Sequence, residues 1–164
     1  MRARAGVLNS PREGVAETGV ASLRSADYIR CVAPQLNHTI VWCRDQKRSA
    51  GFLTEVLGLP APRRFLHFLV VELANGVSMD FYETSDEVAR QHYAFLVGDD
   101  EFDAIFGRIR ERGLEIWADP ARTRPGEINP HFGGRGVYFA DPDGHGLEII
   151  TRPYGSESEL RAES

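Results

Sequence analysis

The sequence predicts an α+β fold made of two tandem β-α-β-β-β modules, and three observations predict it. Landmark residues recur at a nearly constant offset: His38 and His92 are 54 positions apart, Asp45 and Asp99 again 54, and Gly58 and Gly113 are 55 apart. Apolar residues pass from alternation to helical spacing and back to alternation in the same order in both halves. Turn-forming clusters divide the segments, notably Gly58-Leu-Pro60, Ala74-Asn-Gly76, Gly113-Leu114 and Asp141-Pro-Asp-Gly144. A repeat of this kind constrains architecture more than any single element does.

The elements follow in order. Residues 1–33 carry three early arginines but no apolar stretch suited to a secretion signal, and they read as a flexible tail. The domain spans 34–155, with module one at 36–86 and module two at 91–153, and residues 156–164 form a second tail. In module one, Asn37-His-Thr-Ile-Val-Trp42 reads as a strand. Asp45 caps a helix with Phe52, Leu53, Val56 and Leu57 on one face, and Gly58 ends it. Strands follow near 63–65, 68–73 and 77–82. In module two, His92–Val97 is a strand, and Asp99 or Asp100 caps a helix whose Phe102, Ile105, Phe106 and Ile109 face inward. Strands follow at 115–118, 136–139 and 147–151. The last acidic strand residues, Asp80 and Glu148, are 68 apart, because module two inserts a long connection from Asp119 to Arg135.

Composition narrows the function. A net charge of −5 argues against a nucleic-acid or anionic-membrane surface, and no apolar run reaches membrane-spanning length. Cys31 and Cys43 form neither a metal spacing nor a disulfide framework, which fits a cytoplasmic protein acting on a small molecule.

Strand alternation then sorts the chemistry-bearing side chains. Met79 and Phe81 face the first helix, leaving Ser78, Asp80 and Tyr82 opposite. Tyr93 and Phe95 face the second, leaving His92 opposite, and Glu148 lies on the face away from Leu147 and Ile149. If both sheets curl away from their helices, His38, Asp80, His92 and Glu148 project into one shared concavity. Two imidazoles and a carboxylate form a facial triad with open positions, favouring Fe(II), while Mn, Ni, Co or Zn also suit these donors. The competing reading leaves the histidines as hydrogen-bonded strand residues and pairs Glu148 with an arginine such as Arg152. Cys43 reads as core, and His67 and His145 as residues without a role in the chemistry.

Three segments carry a family resemblance: Leu36-Asn-His38-Thr-Ile, Gln91-His92-Tyr-Ala-Phe, and Val137-Tyr138-Phe-Ala-Asp-Pro-Asp-Gly-His-Gly-Leu-Glu148. They resemble the vicinal oxygen chelate superfamily, which includes glyoxalase I, methylmalonyl-CoA epimerase, fosfomycin-resistance thiol transferases, extradiol dioxygenases and metal-free bleomycin-binding proteins. The resemblance implies a U-shaped or barrel-like mixed sheet around a divalent metal held by His38, His92 and Glu148, and a homodimer. Asn129-Pro-His131, Val137-Tyr138, Asp141-Pro-Asp-Gly144 and Glu148 together are similar to the extradiol signature. They imply a ring-cleaving dioxygenase in which Tyr138 and His131 assist the substrate. Asp80 falls where glyoxalase- and epimerase-like members place a fourth ligand, which implies instead a lyase or isomerase using Asp80 as ligand or base. A non-catalytic antibiotic-binding protein is the third reading. The thiol transferases are similar around His92 and Glu148, but Thr123-Arg-Pro-Gly-Glu-Ile-Asn129 replaces their Lys- and Ser-bearing loop. Within that connection Arg124 and Arg135, with Arg122, are candidates to grip a substrate anion. Gly126, Gly133 and Gly134 would let the connection act as a lid, and Trp42 would wall an aromatic-friendly pocket.

Overall fold

A computed structural model describes residues 34–130 and 133–154; both tails and the candidate catalytic His131 lie outside the described residues. In the first module, β1 (His38–Cys43) leads to α1 (Gln46–Leu57), β2 (Arg63–Phe65), β3 (Phe68–Glu72) and β4 (Ser78–Glu83). The strands order β1-β4-β3-β2, with β1 parallel to β4 and the remaining pairs antiparallel. The second module runs β5 (His92–Leu96), α2 (Asp99–Glu111), β6 (Gly136–Ala140) and β7 (Gly146–Ile150), ordered β5-β7-β6 with β5 parallel to β7. The α+β class and the paired modules are as the repeat predicts. The strands form two sheets rather than one closed barrel.

Local chemistry explains the helix ends. Asp45 has extended backbone, and its Oδ1 accepts from the Lys47 and Arg48 amides at 2.9 and 3.0 Å. Gly58 closes α1 with φ of 73°, a left-handed conformation glycine adopts without a Cβ penalty. The Arg108 guanidinium of α2 adds a hydrogen bond at 2.7 Å to the Val56 carbonyl. The α2 cap lies one residue before the predicted aspartates. Gly98 is the N-cap, and Glu101 reaches back to accept from the Gly98 amide at 2.8 Å. Asp99 and Asp100 sit in the first turn, where negative charge complements the helix dipole.

The strand predicted at 115–118 does not form a ladder. Trp117 makes only isolated bridges, to Tyr138 and Pro125. The cause is Asp119, whose carboxylate accepts from the Thr123 amide and hydroxyl and from the Arg124 amide. That ring of bonds folds the chain back at once, so the Gly126 amide reaches the Ile116 carbonyl at 2.8 Å.

Both helices and one face of each sheet share a single core. Val41, Met79 and Phe81 from the first sheet and Val137, Phe139, Leu147 and Ile149 from the second pack with Leu53 and Val56 of α1 and Phe102, Ile105 and Ile109 of α2. Cys43 is fully buried among them. The opposite face of each sheet lies outside this core; it carries exposed Ile40 and Trp42 on β1 and exposed Leu96 on β5, while Tyr138 and Glu148 on the second sheet are buried. Among the described residues, no helix is long and apolar enough to cross a membrane.

Candidate metal centre

The open face of the second sheet carries the densest chemistry. Alternation along β5 places His92 on that face, and the parallel register sets it opposite Gly146 of β7. A Cβ at Gly146 would stand 3.4 Å from His92 Nδ1, so the imidazole lies in van der Waals reach of that strand position. Glu148 follows two residues along on the same face, cross-strand from Tyr138 of β6. Its side chain is 0% exposed, and Oε2 lies 3.2 Å from His92 Nε2. That approach lacks hydrogen-bond geometry, and Oε2 has no hydrogen-bond partner in the described structure. Glu148 Oε1 is occupied, because it accepts from the Tyr154 hydroxyl.

Two phenols complete this cluster. Tyr138 is buried, its ring stacks on His92 with centroids 5.8 Å apart, and its hydroxyl lies 2.9 Å from that of Tyr154. Burial, reinforced by Tyr154 and by the Glu148 carboxylate, pushes the Tyr138 phenol well above its ordinary range. Burial and the Glu148 carboxylate push the Tyr154 phenol up to about 12. Both hydroxyls therefore keep their protons near neutral pH. The backbone of Tyr138 is held by reciprocal 2.9 Å bonds with Trp117. Tyr154 escaped the sequence reading because Pro153 ends the strand pattern before it. The one signal was parity, since 148, 150, 152 and 154 continue a single alternation.

The remaining predicted residues stand elsewhere. His38 lies on the first sheet, where Nδ1 meets the Asn37 side-chain oxygen at 2.9 Å. Among the described residues no three His, Cys, Asp or Glu side chains gather as a metal site, so one chain does not bring His38 to His92 and Glu148. The His38–His92–Glu148 triad expected of one chain is thus not assembled among the described residues. Asp80 shares the His38 face and accepts from Ser78 Oγ at 2.8 Å. Trp42 is 46% exposed on that face and packs edge-on against Tyr82 at 5.3 Å, with Phe68 on Tyr82 at 5.2 Å.

The arginines considered for an anion are engaged by the fold. Arg135 bonds the Asp103 and Asp99 carboxylates and lies over the Phe102 ring, pinning the long connection to α2. Arg124 approaches Asp119 and the Ala118 carbonyl, and Arg122 stacks on Trp117 at 4.4 Å.

The donor set at His92 and Glu148 fits a divalent ion. Two ligands about 2.1 Å from one ion stand about 3.0 Å apart at a right angle and about 3.4 Å apart at a tetrahedral one. The observed 3.2 Å falls between these values. A buried carboxylate oxygen without a hydrogen bond is costly unless a cation meets it.

Fold and site together define the class: a profile of the Glyoxalase/Bleomycin resistance protein/Dioxygenase superfamily matches residues 35–149, and the chain belongs to that superfamily. Among solved structures, the chain is similar to oxidase ChaP-H1, with 64% identity and a TM-score of 0.74, covering 76% of this chain and 100% of that one. It is 30% identical to glutathione transferase FosA of Serratia marcescens, over 70% of this chain and 78% of the relative. Metallothiol transferase FosB of Lysinibacillus sphaericus (strain C3-41) is 27% identical over 71% of this chain and 81% of the relative.

Proposed function

We propose that this protein is a metal-dependent enzyme that oxidises a small oxygen-bearing molecule with O₂, most specifically as an extradiol-type ring-cleaving dioxygenase. One observation carries the metal reading: the fully buried Glu148 Oε2, without a hydrogen bond, 3.2 Å from His92 Nε2. His92 and Glu148 of one copy would hold a divalent ion, Fe(II) first, with Mn, Ni, Co or Zn as alternatives. His38 of a second copy would complete the triad, the two copies pairing through their open, partly apolar sheet faces in a two-fold homodimer. Bound there, the ion would supply Lewis acidity and, as Fe(II), electron transfer toward O₂. The similarity to oxidase ChaP-H1 supports oxidative chemistry, and the metallothiol transferase supports a metal.

The chain's own groups divide the remaining work. His92 and Tyr138, stacked on each other, form one wall beside the centre. Trp42 and Tyr82, arriving with His38, would supply an apolar wall that excludes water from the opposite side. Asp80 lies two residue pairs along from His38 on the same face, through the Ile40–Asp80 register, so any approach of His38 carries Asp80 with it. It is the nearest candidate for a base that takes the substrate proton. That placement also favours the second reading, a glyoxalase- or epimerase-type lyase or isomerase, in which Asp80 ligates the ion or moves a proton beside a chelated carbonyl.

Complementation separates these points. His38→Ala and Glu148→Ala proteins are each expected to lose stoichiometric Fe(II) and O₂ uptake with a panel of catechols. Co-refolded, they should regain about a quarter of the sites, because half of a random two-fold mixture is mixed dimer carrying one intact centre. No recovery would place His38 outside a shared centre. Absence of O₂ uptake by Fe(II)-loaded wild type, with turnover of a ketoaldehyde or an epimerisable acid that fails in Asp80→Ala, would move the chain to the second reading.

A further inference from the structure

We propose that Tyr154 is a positioning residue that holds Glu148 to one metal-facing oxygen, at the end of a directed relay from Tyr138 through Tyr154 to Glu148 Oε1. The direction follows from proton count. A phenol has one proton, and Tyr154 gives its own to Glu148 Oε1. In the 2.9 Å contact between the two hydroxyls, Tyr138 must then be the donor. The final bond lies against a carboxyl group that is fully buried, where a lost partner is not replaced by water.

The consequence is a division between the carboxylate oxygens. Oε1 is satisfied within the fold, while Oε2 is left without a hydrogen bond and turned toward His92 Nε2. Swinging Oε1 onto an ion would break the Tyr154 bond, so Glu148 presents a single donor atom and leaves one more position open to substrate oxygens. Tyr138 is affected as well. Its one proton is used inside this cluster, toward Tyr154 and the Glu148 carboxylate, so toward the centre its oxygen accepts. Tyr154 itself is 48% exposed, so its hydroxyl matters here more than its packing.

This inference rests on the metal reading proposed above, and its test has a metal-free arm. In apo protein, Tyr154→Phe removes the donor to a buried carboxylate and should lower Tm by about 3–8 °C. With Co(II) as the probe, the same variant should bind about 10–100-fold more weakly. Its visible absorption should also change, because a freed carboxylate can ligate through both oxygens. Tyr138→Phe leaves the Tyr154–Glu148 bond in place and should keep Co(II) affinity within about threefold, with the wild-type spectrum, and the double variant should match Tyr154→Phe alone. Unchanged apo Tm together with unchanged Co(II) affinity in Tyr154→Phe would overturn the proposal. So would a Tyr138→Phe defect equal to that of Tyr154→Phe. If wild type takes up no Co(II) while Tyr154→Phe still lowers apo Tm, the metal reading itself fails and the hydrogen bond alone stands.

Discussion

His145, dismissed in the sequence as a residue without chemistry, is predicted to be among the most costly single positions to truncate. It is 0% exposed, and both ring nitrogens are used. The Gln91 amide donates to Nδ1 at 3.0 Å, so Nδ1 carries no proton, and Nε2–H donates to the Trp42 carbonyl at 2.9 Å. The Trp42 carbonyl belongs to β1 at the margin of the first sheet, and Gln91 immediately precedes β5. One imidazole thus joins the two modules through their backbones. Replacing it with alanine removes the partner of the Gln91 amide and of the Trp42 carbonyl at about 1 kcal/mol each, so with the vacated volume of a fully buried ring the expected loss is about 3–5 kcal/mol. Urea unfolding followed by circular dichroism, at one protein concentration so that any oligomer contribution is constant, measures it. The conservative variants divide the effect. Asn places an oxygen near the Nδ1 position and should keep the Gln91 bond, whereas Gln reaches toward Trp42 and should keep that one. Each should recover about 1–2 kcal/mol relative to alanine. A loss below about 1 kcal/mol for His145→Ala, with an unchanged m-value, would refute the view that these backbone groups depend on the ring.

Three further outcomes are expected. Burial, with Asp143 and Glu83 nearby, pushes the Cys43 thiol up to about 12. In a Cys31→Ser background a disulfide reagent at pH 8 should therefore find no native thiolate and one full equivalent after unfolding; rapid native labelling would contradict the burial. Gly58→Ala forces a Cβ into left-handed backbone, 2.8 Å from an Arg108 guanidinium nitrogen. It should cost about 1–2 kcal/mol in thermal unfolding, and a stability equal to wild type would show that the helix end relaxes freely. Asp45→Ala removes the acceptor for two amides and should cost about 1 kcal/mol, while Asp45→Asn should stay near wild type by the same denaturation assay.

The legible parts of this protein are those whose causes lie close together in the chain. The Asp45 cap, the Gly58 stop, the Asp141–Gly144 turn and the alternation that puts Met79 and Phe81 on one face and Asp80 on the other all depend on neighbours a few positions away. The repeat carried the paired modules, and the short segments around His38, His92 and Glu148 carried the family resemblance. Local rules also failed locally: the α2 cap moved to Gly98 because the Glu101 side chain reaches its amide, and 115–118 lost its ladder to the Asp119 carboxylate.

What only the tertiary structure decided is which surfaces meet. Arg135 looked available for an anion until folding brought it to Asp99 and Asp103, more than thirty positions earlier. Tyr154 became visible only through its hydroxyl on Glu148, and His145 only through Trp42. Alternation assigned His38, His92 and Glu148 to open sheet faces. It could not say whether those faces belong to one concavity, because that depends on how two helices share a core. Here α1 and α2 pack into one apolar cluster with the inner faces of both sheets, and in that packing His38 does not gather with the His92–Glu148 pair.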